Sequence, residues 1–120
     1  MKKAEDRIQQ EIVMHARNTY CTTLSNPRCA IFSVPNERKD TRELMQLMQT
    51  GLMAGVSDLI FIIPNKVIFI EVKTETGSQQ DNQVEFQRTV TDLGHDYWLV
   101  RSLSDFMELV EKEGIKSEIK

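Results

Sequence analysis

Three charged residues stand at the ends of two neighbouring apolar runs. Asp58 comes directly before the run Leu59–Ile63, and Glu71 and Lys73 close the run that begins at Val67. Burying an unpaired charge is costly, so charges at these positions indicate a bound ligand or a reaction. Two carboxylates and an ammonium group brought together could hold a divalent metal ion and orient a water molecule. That is the chemistry that cleaves phosphodiester bonds.

The two runs predict a hairpin with strands at 58–63 and 67–73 and a turn at 64–66. Side chains alternate along a strand, so Glu71 and Lys73 share one face. A turn centred between residues 65 and 66 places Asp58 opposite Lys73, and one centred between 64 and 65 places it opposite Glu71. Both put Asp58 on the shared face. A turn centred on residue 65 places Asp58 opposite Val72 instead, and the sequence leaves these three registers open.

The remaining periodicity predicts four helices and two more strands around this hairpin. Helices are predicted at 3–18, from an N-cap at Thr41 through Met48 to an end at Gly51, at 81–93, and from an N-cap at Ser104 to Gly114. The further strands are predicted at 29–34 and 97–100. The order α-β-α-β-β-α-β-α indicates an α/β fold with a mixed central sheet flanked by helices. The hairpin runs are almost wholly apolar, which is typical of strands covered on both faces.

Composition favours one globular domain, 1–120, with a flexible tail from residue 115. No apolar run approaches the roughly 20 residues that span a bilayer, so we expect no membrane association and a cytoplasmic location. Cys21 and Cys29 form no metal-binding pair, and we expect them to be separate buried or incidental thiols. The net charge is −3, so any contact with nucleic acid must come from a local basic patch.

An ordered set of motifs spans residues 5–106. It comprises Gly51-x3-Gly55-Val56-Ser57-Asp58-Leu59-Ile60, Phe69-Ile70-Glu71-Val72-Lys73-Thr74, Val34-Pro35-Asn36-Glu37, Gly77, Gln83-x2-Phe86, Gly94-x2-Tyr97, Val100-Arg101-Ser102 and Asp105. This set resembles the virus-type replication-repair nuclease (VRR-NUC) family of the PD-(D/E)XK nuclease superfamily. Two positions depart from the pattern: Ser57 replaces a proline, and Gln80 stands where the family usually has a small polar residue.

The resemblance implies metal-dependent cleavage of DNA. Asp58, Glu71 and the carbonyl of Val72 would be metal ligands, and Lys73 would be the catalytic lysine. Gln83 would support the lysine or the phosphate, although an ordinary solvated helix glutamine is an equal alternative. The implied cofactor is Mg²⁺, with Mn²⁺ as a substitute, and no other small-molecule cofactor is implied.

Related nucleases also place an acidic residue of the first helix near the metal. Glu5 is favoured because it falls within the stripe of Ile8 and Ile12. Gln9 could occupy the same position as an amide, and Glu11 is the other acidic candidate. Acidic residues are also common in the first turn of any helix, so this ligand stays open.

Stand-alone members of the family, in phages and bacteria, are associated with homodimers that cut branched DNA such as four-way junctions. We therefore expect a branched DNA substrate and a homodimer, since a small domain needs a second copy to hold two strands. Arg38, Lys39 and Arg42 are the predicted contacts to backbone phosphates, with an ordinary solvated basic loop as an equal alternative. The alternatives are a flap or single-strand nuclease, an enzyme acting on RNA, and a nuclease-fold DNA-binding or regulatory protein without catalysis.

Overall fold

A four-stranded mixed sheet in the order β1-β2-β3-β4 carries the fold. The structure, a computed structural model, describes residues 2–21, 28–35 and 41–115. The strands are β1 (Ala30–Ser33), β2 (Leu59–Ile63), β3 (Lys66–Val72) and β4 (Asp96–Val100), and the helices are α1 (Lys2–Thr19), α2 (Thr41–Gln49), α3 (Asp81–Asp92) and α4 (Leu103–Glu113). The predicted element order and fold class are confirmed. The tail after Ile115 lies outside the described residues. None of the described helices is both long enough and apolar enough to cross a membrane.

The hairpin register is one of the two that favour a charged site. β1 and β2 are antiparallel, β2 and β3 are antiparallel, and β3 and β4 are parallel. Leu59 pairs with Ile70 and Ile63 with Lys66, so Pro64 and Asn65 form the turn. Extending the pairing by one residue places Asp58 beside Glu71 on the same face of the sheet.

The two faces of the sheet are covered differently. Helices α1 and α4 pack against one face and each other, and this layer forms the main core. Its central side chains are Ile12, Leu59, Phe61, Ile68, Ile70 and Phe106, all of them fully buried. On the opposite face, α3 lies over β3 and β4. There the ring centroid of Phe86 lies 5.4 Å from that of Phe69 and 6.3 Å from that of Tyr97. Glu71 belongs to this second face.

No helix among the described residues lies over the β1–β2 half of this second face. Phe32 and Ile62 are 43% and 39% exposed, and Ile60 between them is half-buried. The expectation that both hairpin strands are covered on both faces is therefore wrong for β2. This face of β2 is open because α2 does not pack on it: no Cα atom of α2 lies within 8 Å of a Cα atom in another described helix or strand.

The N-terminus of α4 also differs from the prediction. Ser102, not Ser104, is the N-cap, and its hydroxyl accepts a hydrogen bond from the Asp105 N–H at 3.1 Å. The Asp105 carboxylate in turn accepts from the Arg101 N–H at 2.9 Å. A serine followed three residues later by an acid is a known start signal for helices, and Ser102-x-x-Asp105 fits it.

The cysteines are not separate thiols. Cys21 and Cys29 form a disulfide with a Cα–Cα distance of 5.0 Å, within the range that the bond requires. The two residues follow α1 and precede β1, two elements that pack together. The eight-residue spacing gave no sign of this, because the pairing depends on how the helix lies against the strand.

At Gly55 the backbone passes very close to the backbone of Asn82. Gly55 is buried with φ +86°, and a Cβ atom there would overlap the backbone carbonyl of Asn82 at the start of α3. Gly51 has φ +117° but open space around it. Only Gly55 therefore combines a left-handed backbone with a steric requirement.

We predict that Gly55→Ala destabilises the protein by more than Gly51→Ala. Each variant should lose about 1–2 kcal/mol of unfolding free energy from the left-handed backbone, and Gly55→Ala should lose more because α3 must move. Thermal or urea unfolding of both variants measures the difference. Equal losses would show that α3 does not hold this segment.

Candidate active site

The structure brings Asp58, Glu71 and Lys73 together. Asp58 lies just before β2, Glu71 lies in β3, and Lys73 follows the end of β3. Glu71 is 1% and Lys73 7% exposed, and the Lys73 Nζ lies 3.9 Å from the Glu71 Oε2. The Asp58 Oδ2 accepts a hydrogen bond from the Val72 N–H at 2.7 Å. Two carboxylates and an ammonium group thus meet at the open end of the β2–β3 hairpin.

The carboxylates are crowded in a desolvated place. Burial and then the neighbouring Asp58 carboxylate raise the pKa of Glu71 to about 8, against the opposing effect of the Lys73 ammonium. With both acids ionised, the three side chains carry a net charge of −1. Such an environment disfavours a second negative charge, and a bound cation would relieve it.

Gln83 reaches the site from the first turn of α3. Its Nε2 donates to the Glu71 Oε2 at 2.8 Å, and its Oε1 accepts from the backbone N–H of Gln80 at 2.8 Å. Gln80 is the N-cap of α3, so the amide is held as part of a capping box. The hydrogen bond goes to the carboxylate, whereas the sequence suggested support of the lysine or the phosphate.

Tyr97 is a site residue to which the sequence analysis gave no role. Its hydroxyl lies 3.4 Å from the Glu71 Oε1 as a donor, and it accepts from the Gln79 Nε2 at 3.2 Å. Gln79 also donates to the Gln87 Oε1 at 3.0 Å. Burial and then the Glu71 charge raise the pKa of Tyr97 well above its usual range, so the phenol stays a donor. Tyr97 appeared in the sequence only as one position of a motif.

Arg101 fixes the loop that follows Lys73. Its Nη1 donates to the carbonyls of Thr74, at 2.7 Å, and Gly77, at 2.6 Å. A Cβ atom on Gly77 would lie 3.0 Å from the Thr74 Oγ1 and 3.7 Å from the Lys73 Cδ. The loop therefore packs closely over the Lys73 side chain, and Arg101 holds it there from the end of β4.

The donor set fits a hard divalent cation. Asp58 and Glu71 supply carboxylate oxygens, the ligands that Mg²⁺ takes in small numbers beside water and phosphate. A strand residue directs its N–H and C=O toward the same neighbour, so the Val72 carbonyl faces the side of Asp58. Among residues 2–21, 28–35 and 41–115, no group of three acidic, histidine or cysteine side chains could hold a metal. A cation here would rely on two carboxylates, a carbonyl, water and substrate.

Of the other predicted site residues, those that the structure describes are not brought to this cluster. Glu5 and Gln9 are half-buried on α1 and Glu11 is exposed, and none of them completes a three-acid group. The role of Glu5 as a ligand stays a prediction. Arg42 is exposed in the first turn of α2, away from the other elements. Arg38 and Lys39 lie outside the described residues.

The position of Glu71 predicts a pH-dependent stability of the metal-free protein. The pKa of Glu71 is about 8 in the folded protein against an ordinary 4.5, so the folded state favours the protonated acid. Protonated Glu71 therefore gives its full stabilising contribution below the ordinary pKa of 4.5. The contribution is lost as the pH rises from there through the folded pKa of about 8. The unfolding free energy should fall by up to about 1.4 kcal/mol per pH unit in that window.

Urea unfolding between about pH 5 and pH 8, in the presence of a chelator, measures this change of the unfolding free energy with pH. A carboxyl group with a raised pKa titrates in roughly this range. Glu71→Gln should remove most of the slope. Glu75→Gln, which changes an exposed acid in the next loop, should keep it. An unchanged slope in Glu71→Gln would contradict the assignment.

Solved structures with the same architecture carry the VRR-NUC name. One described as a "VRR_NUC domain protein" superposes with a TM-score of 0.71 at 17% identity, covering 91% of this chain and 86% of that chain. Another, "VRR_NUC domain", has a TM-score of 0.63 at 19% identity and covers 90% and 95%. Neither protein-family models nor curated proteins match the sequence. The chain therefore has the fold of a VRR-NUC domain, as the motifs indicated.

Proposed function

We propose that the protein is a nuclease of the VRR-NUC family that hydrolyses DNA phosphodiester bonds with Mg²⁺ or Mn²⁺. The observation that carries this proposal is the buried Glu71 beside Asp58, with the Lys73 ammonium 3.9 Å away, on a fold shared with VRR-NUC domains. Removing these charges from water has no structural benefit that apolar residues would not also supply.

Each side chain has a role in that chemistry. Asp58, Glu71 and the Val72 carbonyl would hold the cation, which supplies Lewis-acid polarisation of the phosphate when bound. Lys73 places a positive charge where negative charge develops on the phosphate, and it helps to orient the attacking water. Water adds across the P–O bond, so one product carries the phosphate and the other a hydroxyl.

Gln83 and Tyr97 position the Glu71 carboxylate. Gln83 holds Oε2 and Tyr97 lies at hydrogen-bond distance from Oε1, so both oxygens have donors and the rotamer is restrained. Hydrogen bonds from residues that do not themselves touch the metal orient the metal ligands and tune the affinity of the site for the metal. Neither residue needs to touch the substrate to act in this way.

We propose branched DNA as the substrate and a two-fold homodimer as the active form. A dimer places two equivalent sites on one substrate, which suits paired cuts in a four-way junction. Arg42, with Arg38 and Lys39, would contact backbone phosphates. Such contacts are largely independent of sequence, as a protein that reads the shape of DNA requires.

The proposed nuclease activity predicts the effect of substitutions on cleavage. Glu71→Gln and Asp58→Asn should each reduce cutting by at least about a thousandfold, because removing a charged metal ligand removes transition-state stabilisation worth several kcal/mol. Glu75→Gln is the matched control and should cut like the wild type. The assay uses duplex, flap, splayed and four-way DNA with Mg²⁺ or Mn²⁺. Full activity in Glu71→Gln would rule out the assigned site, and equal rates on all four substrates would rule out branched-DNA specificity.

A second readout is independent of cleavage. Saturating Mn²⁺ should raise the unfolding temperature of chelator-treated wild-type protein, since a ligand at about 100 times its Kd adds about 2.7 kcal/mol. The rise should disappear in Asp58→Asn and persist in Glu75→Gln. An equal rise in all three proteins would place the metal elsewhere.

Tyr97→Phe tests the positioning role. The ring packs against Phe86, so phenylalanine preserves that contact and removes only the hydroxyl. We expect a roughly tenfold weaker apparent affinity for the metal, at the low end for outer-shell partners, with the rate largely recovered at saturating metal. A rate that stays low at saturating metal would instead mean that the hydroxyl acts in the chemical step.

A further inference from the structure

A chain of amide and hydroxyl groups connects α3 to the Glu71 carboxylate by an indirect route. The Gln87 Oε1 accepts a hydrogen bond from the Gln79 Nε2 at 3.0 Å, and the same Nε2 donates to the Tyr97 hydroxyl at 3.2 Å. That hydroxyl lies 3.4 Å from the Glu71 Oε1. Gln79 and Gln87 belong to none of the motifs that the chain shares with the VRR-NUC family, so the resemblance gives them no role.

Two routes from α3 therefore reach the two oxygens of one carboxylate. Gln83 and Gln87 are four residues apart, so their side chains lie on one face of the helix. Gln83 donates directly to the Glu71 Oε2 at 2.8 Å. Gln87 is linked to the Oε1 of the same carboxylate through Gln79 and Tyr97. The hydrogen bonds and the helix backbone thus close a ring that joins α3, β3, β4 and the loop before α3.

The charge of Glu71 sets the direction of each bond along this route. An ionised carboxylate, the form that binds a cation, only accepts hydrogen bonds, and a phenol has one hydrogen to donate. When that hydrogen points at Glu71, the Tyr97 oxygen accepts from Gln79, so Gln79 must present its NH₂ group. The second hydrogen of this group goes to the Gln87 oxygen, and both hydrogens of the Gln79 Nε2 are then used.

The backbone on both sides of Gln79 is held in place. The Gly77 carbonyl accepts from the Arg101 Nη1 at 2.6 Å, and the Gln80 N–H donates to the Gln83 Oε1 at 2.8 Å. Gln79 itself is half-buried, so water competes less for its amide than for that of an exposed side chain. The loop therefore presents the Gln79 amide in one place beside the tyrosine.

We propose that Gln79 is a positioning residue that keeps the Tyr97 hydroxyl directed at Glu71. Its NH₂ group, supported by Gln87, occupies the accepting side of the hydroxyl oxygen. Without Gln79 the hydroxyl can turn its hydrogen toward water, and the Glu71 Oε1 loses its donor. This inference rests on the proposed nuclease function, in which Glu71 holds a divalent cation. Hydrogen bonds to a metal ligand change metal affinity, so the consequence is weaker binding of the cation.

Titration with Mn²⁺ alone, followed by the electron paramagnetic resonance signal of free Mn²⁺, tests this role without DNA. Gln79→Leu keeps a side chain of similar size and removes both donated hydrogens. Its Kd for Mn²⁺ should be about three- to tenfold higher than that of the wild type. Gln10→Leu, which changes an exposed glutamine of α1, is the matched control and should keep the wild-type Kd.

The unfolding temperature of each variant in chelator separates positioning from a merely structural role. A Gln79→Leu protein with a lower unfolding temperature but the wild-type Kd would overturn the proposal, because the bond would then serve stability alone. Equal increases of the Kd in Gln79→Leu and Gln10→Leu would also overturn it.

Combining Gln79→Leu with Tyr97→Phe gives the decisive result. If Gln79 acts through the hydroxyl, its substitution changes nothing once the hydroxyl is gone. The double variant should therefore have the Kd of Tyr97→Phe within about twofold. Gln87→Leu, which removes the acceptor of Gln79, should raise the Kd by less than Gln79→Leu, and again only when Tyr97 is present. It takes the place of Gln79→Leu should that variant fail to fold. Two factors that multiply in the double variant would overturn the proposal, since Gln79 would then act without the hydroxyl.

The outcome for Gln79 is separable from the outcome for the nuclease. A protein that shows this coupling in Mn²⁺ binding but cuts no DNA would contradict only the nuclease assignment. A protein that cuts DNA, with a Kd that Gln79→Leu leaves unchanged, would contradict only the role of Gln79. A wild type that binds no Mn²⁺ would contradict both.

Discussion

The pairing of β2 with β3 is the constraint on which the site depends. Leu59 opposite Ile70 puts Asp58 on the face of Glu71, and a slip of one residue would move Asp58 to the opposite face. The turn fixes the pairing. Pro64 cannot adopt a positive φ, so the left-handed residue of a two-residue turn must be the second one, and Asn65 has φ +67°. Asparagine tolerates this region better than most residues.

The crowded carboxylates have a cost to stability that the surrounding structure offsets only in part. Gln83 donates to the Glu71 carboxylate and the Tyr97 hydroxyl lies within 3.4 Å of it, and Lys73 lies nearby. These partners do not cancel the effect of burial, since the pKa of Glu71 is still about 8. Because burial and the Asp58 charge both disfavour an ionised Glu71, a bound cation would relieve this cost. Proteins commonly accept lower stability at functional sites for this reason.

The parts of the site that could be predicted are those set by local periodicity. Alternation along β3 placed Glu71 and Lys73 together. Adding Asp58 required the hairpin register as well, and two of the three registers left open by the sequence place it with them. Tyr97 could not be found in this way, because it approaches through the parallel pairing of β3 with β4, which local pattern does not specify. The disulfide also depends on long-range packing.

Gln83 shows an intermediate case. Its helix was predicted, and its position in the first turn follows from the start at Asp81. Its partner depends on where the loop after Lys73 directs the helix. Arg101 holds that loop by its carbonyls, and no periodicity connects residue 101 with residues 74–77. The helix could therefore be predicted, but the target of its side chain could not.

The segment between α2 and Asp58 is anchored to α3 at one point. Gly55 lies against the backbone of Asn82 in α3, so the chain is fixed to the domain three residues before Asp58. The geometry of the charged residues is therefore set by β2, β3 and α3.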